Sequence, residues 1–401
     1  MYFLILDVHF TKKYQYNVTK NMHFITLPQF LKLFYSAPIT FSEFINIAKV
    51  RVGKNIHPLK TYIREKSIDI NDIRLLFENI ESRNEYLTRF YNTSLRIQLE
   101  NIQFHGKLPP MKNNHFNNNQ DVALKNPIRN MYYRDILQHT TSGFENNPTY
   151  MNVLYDLYKK HIIDYKILTP SAMFYMKNGR LGSVFSSFYF RASILNPYLV
   201  YSLNESVLNG TRIFTPTLGW SSYCYGFLES PRVVEYVGTD VIPHVCQKTQ
   251  EFAKILYSPE KIVDIYCQPS EDLFKNTKFM KKYREHFDVV FFSPPYYKLE
   301  MYEGEMQSTN RYNTYEEWLA NYWETTIKLC HHVLEKGGKM CYILSGYGSQ
   351  NSKEKYDLIS DMNAIARKYF TLKTIQPMFN KDVYVTKHKE TAEKIMIFVK
   401  K

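Results

Sequence analysis

Phe287-Asp-Val-Val-Phe-Phe-Ser-Pro-Pro-Tyr296 is the stretch from which the rest of the chain can be read. Its first six residues are apolar and β-prone apart from one acid, as in a strand buried on both faces of a parallel sheet. The next four cannot continue that strand. Consecutive prolines at 294 and 295 remove two backbone donors and stiffen the turn. The turn then presents acceptors, the Ser293 hydroxyl oxygen and the Pro294 carbonyl, followed by the aromatic face of Tyr296. In open α/β sheets ligands bind beyond the carboxyl ends of the strands, where this tetrapeptide falls.

Moving outward, the same texture recurs on both sides. Arg212–Phe214, Val233–Gly238, Ile262–Tyr266 and Lys339–Leu344 are further short β-rich runs, with helical windows at Pro243–Tyr257 and Tyr315–Glu335 between them. Such alternation predicts an α/β fold with a mostly parallel, doubly wound sheet. Val383-Tyr-Val-Thr and Glu393–Lys400 are expected to close it as a hairpin. Residues 1–165 read differently. Phe41–Val50 and Ile70–Ile80 have apolar residues at helical spacing, Met1–Asp7 reads as a strand, and Asn113–Gln120 as a mobile polar loop. The expected division is a mainly helical accessory domain, 1–165, and an α/β domain, 166–401.

An acceptor-only turn beside an aromatic ring suits one chemistry. The exocyclic amine of a nucleic-acid base is a poor nucleophile because its lone pair is delocalised into the ring. Two acceptors holding its N–H groups favour a more pyramidal nitrogen, and the ring of Tyr296 can stack on the base, typically worth ~1–3 kcal/mol. Within a duplex the base must first be flipped out. Ser293-Pro294-Pro295-Tyr296 resembles motif IV of the DNA amino-methyltransferases, (Asp/Asn/Ser)-Pro-Pro-(Tyr/Phe), whose members make N6-methyladenine or N4-methylcytosine. The downstream Tyr297–Tyr302, Gln307-Ser308 and Tyr315–Leu319 resemble phage and large-DNA-virus members. The resemblance covers roughly residues 185–400. It implies a Rossmann-like class I methyltransferase fold, a seven-stranded sheet with a closing hairpin, and S-adenosyl-L-methionine as cofactor.

It also implies where that cofactor lies. Asp240, ending the run Val233–Asp240, matches the acid that accepts from the two ribose hydroxyls; the alternative is a helix cap before Pro243. Thr215-Pro216-Thr217-Leu218-Gly219-Trp220-Ser221 resembles motif I, usually Asp-Pro-x-x-Gly-Trp-Gly. Gly219 and Trp220 match, Thr215 replaces the acid and Ser221 the second glycine. Pro269-Ser-Glu-Asp272 follows a third strand as motif III does, so Glu271 or Asp272 is expected to reach the adenine. Phe188–Pro197 falls where motif X would lie, making Arg191 a candidate for the methionine end of the cofactor, or else a phosphate or surface residue.

Charge points to a partner. Residues 1–200 hold 25 of the 51 Lys+Arg and 14 of the 38 Asp+Glu, a balance of +11 out of +13 for the whole chain. A basic half beside a neutral one suits contact with a polyanion. The motif order leaves no room for a recognition domain between Gly219 and Ser293, so DNA reading is expected in residues 1–165. The five cysteines lack CxxC or His/Cys ligand spacing, which argues against a disulfide framework and a zinc site. No apolar stretch reaches ~18 residues, so no membrane span is expected and the setting reads as intracellular. No cysteine follows a proline, excluding cytosine-C5 methylation by the usual Pro-Cys nucleophile, and no P-loop is present. Three other readings stay open: amino-methylation of RNA, methylation of a protein glutamine (where Asn rather than Ser starts the motif), and a catalytically inactive nucleic-acid-binding fold, suggested by Thr215 and Ser221.

Overall fold

A computed structural model describes residues 22, 24–143, 148–257, 259–345, 356–379 and 393–401. Its centre is a sheet of seven strands: β5 (Arg212–Thr215), β6 (Glu235–Asp240), β7 (Ile262–Cys267), β8 (Phe287–Phe292), β10 (Leu334–Leu344), β11 (Phe370–Pro377) and β12 (Lys394–Lys400). They lie in the order β11-β12-β10-β8-β5-β6-β7. All neighbours run parallel except that β12 is antiparallel to both β10 and β11. Numbered within the sheet this is 3-2-1-4-5-7-6 with the seventh strand reversed, the arrangement of the Rossmann-like class I methyltransferase fold. β12 pairs antiparallel with β11; Val383–Thr386 lies outside the described residues, as does Met1–Asp7.

The sequence of β8 explains its central place. Val289, Val290, Phe291 and Phe292 are all buried. The one acid, Asp288, is used at the strand's start, where its carboxylate accepts from the backbone N–H groups of Thr211 and Arg212 at 2.9–3.0 Å. This ties β8 to β5, and the chain order reverses between these two strands. A crevice therefore opens at the carboxyl ends of β5, β6 and β8.

The N-terminal part is mainly helical. Its helices include Leu27–Leu33, Ile70–Glu81, Arg83–Ser94, Tyr150–Lys160, Pro170–Lys177 and Leu181–Phe188, with a small sheet of β1 (Lys49–Val52), β2 (Asn55–Pro58) and β4 (Ile162–Asp164). The helix expected over Phe41–Val50 stops at Ile47, and Lys49 and Val50 open β1. Ala48 makes the change because its backbone turns extended, at φ −65° and ψ 148°.

Contacts do not divide at residue 165. Residues 102–142 lie against the helices of the large sheet. The buried Glu229 carboxylate accepts from Phe104 N and His105 N at 2.6 and 2.5 Å. Met111 N donates to Ser202 Oγ at 3.0 Å, and Tyr198 Oη donates to Pro109 O at 2.5 Å. The segment ends in β3 (Thr141–Ser142), paired with β9 (Glu300–Met301) beyond the Ser-Pro-Pro-Tyr turn. Gly143 follows at a place no side chain fits, since a Cβ there would stand 2.0 Å from Lys298 O. The Asn113–Gln120 tract, expected to be a mobile loop, is held instead. Asn118 Oδ1 accepts from Asn196 N at 2.7 Å, and Asn196 Nδ2 donates to Gln120 O at 2.7 Å.

Candidate active site

A cavity of about 1190 Å³, its open mouth included, occupies the crevice. The turn after β5 forms one side. Pro216, Thr217, Gly219 and Trp220 line it. Gly219, Trp220 and Ser221 all have positive φ, at 53°, 57° and 68°. Gly219 is obligatory, because a Cβ would stand 2.2 Å from the Tyr223 ring. At Ser221 the backbone keeps the left-handed form that the missing glycine would adopt easily. Its hydroxyl lies 2.6 Å from Tyr132 Oη and 2.6 Å from Thr249 Oγ1, and Thr249 donates onward to Val245 O at 2.7 Å. The assignment that satisfies all four groups runs Tyr132 to Ser221 to Thr249 to Val245.

Asp240 ends β6 at the cavity wall. One carboxylate oxygen accepts from Leu218 N at 3.2 Å, the other from Val241 N and Ile242 N at 2.8 and 3.2 Å. Burial raises its pKa, and these N–H groups work against the shift. Asp240 thus shapes the turn after β5, caps the start of the next segment and borders the cavity. Gln268 and Pro269, after β7, line the cavity too, and Gln268 Nε2 is a buried donor with no partner among the described residues.

Several expected cofactor residues stand outside the cavity lining or are held by other partners. Thr215 is buried and turned from the cavity, its hydroxyl 2.6 Å from Tyr236 Oη. Glu271 lines the cavity, but its Oε1 accepts from Arg311 at 2.8 Å and from Tyr312 Oη at 3.3 Å. Asp272 is outside the cavity lining and pairs with the same Arg311 at 3.0 Å. Arg191 also lies outside, exposed, its guanidinium 5.7 Å from the Tyr150 ring centre. Phe188–Pro197 is mostly without regular secondary structure, and reaches the cavity through Ser193, Ile194 and Leu195.

Ser293, Pro294, Pro295 and Tyr296 line the opposite side. Ser293 Oγ donates to Ile343 O at 3.0 Å, so its one proton is committed to the neighbouring strand and its lone pairs remain. Tyr223 Oη receives Ser293 N at 3.2 Å and donates to Ser293 O at 3.3 Å, gripping the turn from below. Tyr296 Oη accepts from Ser345 N at 2.9 Å, which fixes its ring. Beyond the turn, Glu300 and Glu393 also line the cavity. Glu300 accepts from Ser193 N at 3.0 Å and from Tyr302 Oη. Burial raises the pKa of both acids. Sequence reading missed Tyr223, Gln268, Glu300, Glu393 and Asn118, which stand in a helix, loops, the two-residue strand β9 or a polar tract with no spacing of their own. Among the described residues no cluster of His, Cys, Asp and Glu could hold a metal ion, and no helix is long and apolar enough to cross a membrane.

No protein-family model matches the chain, and no curated protein matches it in sequence. Among solved structures it is similar to TrmN from Thermus thermophilus, at 13% identity over 52% of this chain and 49% of that one, with a TM-score of 0.34. The match thus spans about half of TrmN. It is similar as well to the N-methyltransferase NodS from Bradyrhizobium japonicum in complex with S-adenosyl-L-homocysteine, at 11% over 50% and 83%, TM-score 0.33. Fibrillarin from Aeropyrum pernix with natively bound S-adenosyl-L-methionine gives 9% over 47% and 66%, TM-score 0.31. At these scores the likeness says nothing about the reaction, and the fold rests on the sheet order above.

Proposed function

We propose that this chain methylates the exocyclic amino group of adenine (N6) or cytosine (N4) in DNA, using S-adenosyl-L-methionine. The observation that carries the reading is the chemistry of the Ser293–Tyr296 turn. The Ser293 proton is taken by Ile343 O, and residues 294 and 295 have no N–H, so the turn offers acceptors beside a fixed aromatic ring. An amine is the group such a turn favours.

The residues opposite suit the cofactor. Gly219 lines the cavity with no side chain of its own, Asp240 stands at a strand end where ribose hydroxyls can donate to it, and Gln268 Nε2 has no partner among the described residues. Thr217 and Trp220 would border it. When bound, the cofactor supplies an electrophilic methyl group. Ser293 and the Pro294 carbonyl hold the two amine hydrogens and leave the nitrogen lone pair directed into the cavity. Tyr296 stacks on the flipped base, and one amine proton passes to solvent once the new N–C bond has formed.

The test is nucleoside mass spectrometry after incubating DNA and RNA separately with the protein and methyl-labelled cofactor. Labelled N6-methyladenine or N4-methylcytosine from DNA is expected. Label in RNA alone would transfer the reading to RNA, because the turn reads an amine and a ring and not the sugar. Label in neither, with cofactor bound, would sink it.

A further inference from the structure

We infer that the Glu300 carboxylate holds the α-ammonium group of the cofactor, the cation at the amino-acid end of S-adenosyl-L-methionine; the assignment rests on the reading proposed above. That reading sets the ligand's direction. Asp240 takes the ribose at the end of β6, and the methyl group has to face the Ser293–Tyr296 turn after β8. The sheet order is β8-β5-β6-β7, so the amino-acid arm leaves the sulfur on the β5 and β8 side of the cavity. A cation shut away from water there needs an anion. The turn after β5 supplies none. Thr215 is bonded to Tyr236, and Pro216, Thr217, Gly219 and Trp220 are uncharged.

Among the described residues four acids line the cavity and no Lys, Arg or His does, a lining that suits a cationic ligand. Three of the acids are committed or misplaced. Asp240 is held by three backbone N–H groups at the ribose end, and Glu271 by the Arg311 guanidinium. Glu393 precedes β12, which stands beyond β10 on the far side of β8 from β5. Glu300 is the fourth. It opens β9, pinned opposite Ser142 of β3. One carboxylate oxygen accepts from Ser193 N at 3.0 Å and the other from Tyr302 Oη, both donors on residues of the cavity wall. The Tyr302 ring stands 5.7 Å from that of Trp220, edge to face, which brings this group beside the turn after β5. Neither donor is a cation, and each oxygen keeps a lone pair. Burial raises the Glu300 pKa, and an ammonium beside it favours the charged form.

The test uses the full chain and two probes, S-adenosyl-L-homocysteine and 5′-methylthioadenosine, which lacks the amino-acid arm. Calorimetry gives both affinities for wild type, Glu300→Gln and Glu393→Gln. Glutamine keeps the size of Glu300 and removes its charge. S-adenosyl-L-homocysteine is expected to bind Glu300→Gln about tenfold more weakly or worse, because hydrogen bonds between charged groups are among the stronger ones. Binding of 5′-methylthioadenosine should match wild type, which also checks folding. Glu393→Gln should keep the wild-type ratio of the two affinities. Equal weakening of both probes in Glu300→Gln would make the residue structural and overturn the inference, as would an unchanged ratio. One arm needs no variant. Wild type should prefer S-adenosyl-L-homocysteine to its analogue lacking only the amino group, and equal binding of the two would also overturn the inference. Failure of the proposed reaction reads differently: wild type would yield no labelled nucleosides while the ratio still depended on Glu300.

Discussion

Ser221 Oγ lies 2.6 Å from Tyr132 Oη, joining the turn after the first strand of the large sheet to the segment that precedes the sheet. Ser221 holds a left-handed backbone at φ 68° and is fully buried. Its side chain therefore costs strain and returns hydrogen bonds. Ser221→Ala keeps the strain and loses the bonds, whereas Ser221→Gly loses both. The alanine variant should accordingly be the less stable of the two by about 1 kcal/mol. Chemical denaturation of both proteins gives the order, and a glycine variant no more stable than the alanine one would remove the strain argument.

Ser293→Ala removes one of the two acceptors offered to an amine. Turnover is expected to fall at least tenfold, since a lost transition-state contact commonly costs ~10²–10³. Cofactor affinity should stay near wild type, because the turn after β5 lies across the cavity. Single-turnover kinetics with calorimetry separates the two effects.

Asp240→Ala should weaken the cofactor by tenfold or more, since charge-assisted hydrogen bonds are among the stronger ones. The same carboxylate holds Leu218 N and Ile242 N, so the thermal midpoint of the cofactor-free protein should fall as well. Unchanged affinity with a lowered midpoint would reduce Asp240 to a capping residue.

Lys125→Met tests the buried amine by pH. The lysine pKa is lowered to about 7, by burial first and then by Arg129, with Glu393 opposing and Arg191 adding to the shift. Between about 7 and the ordinary 10.5 the unfolded chain holds a proton at this group that the folded chain does not. Stability through Lys125 therefore rises with pH across that window. The variant should exceed wild type in thermal midpoint most at pH 7 and least near pH 10. A difference that does not change with pH would mean that Lys125 keeps an ordinary pKa.

A chain beginning at residue 166 is expected not to fold. It would leave the buried Glu229 carboxylate without the Phe104 and His105 N–H groups, and Ser221 without Tyr132. A cofactor-induced thermal shift in that fragment would show that residues 102–142 are dispensable.

The sheet was legible because each central strand carries its own signal. Phe287–Phe292 is apolar on both faces and ends at a turn that cannot pair, so its limits can be read to the residue. The cavity's first side was legible for a similar reason, since glycine at 219 and an acid at 240 are local requirements. Tyr223, Gln268 and Glu300 act through places reached by folding, and nothing in their sequence neighbourhood marks them. Thr215 shows the reverse case. It ends β5, but Tyr236 supplies a buried hydroxyl on the neighbouring strand, and the side chain turns to it. Arg191 likewise stands near the cavity in sequence while its guanidinium packs over Tyr150.

For protein engineering, the path of residues 102–142 sets a rule about chimaeras. A recognition module that simply preceded the sheet could be exchanged at one crossover. Here the helical shell comes before Ile102 and resumes after Gly143, while the chain between them supplies Asn118 to the cavity and Tyr132 to the turn behind it. Swapping the shell for that of another protein therefore needs two splice points, with the host keeping its own liner between them. A single cut at 165 would import a foreign wall for the pocket along with the new shell.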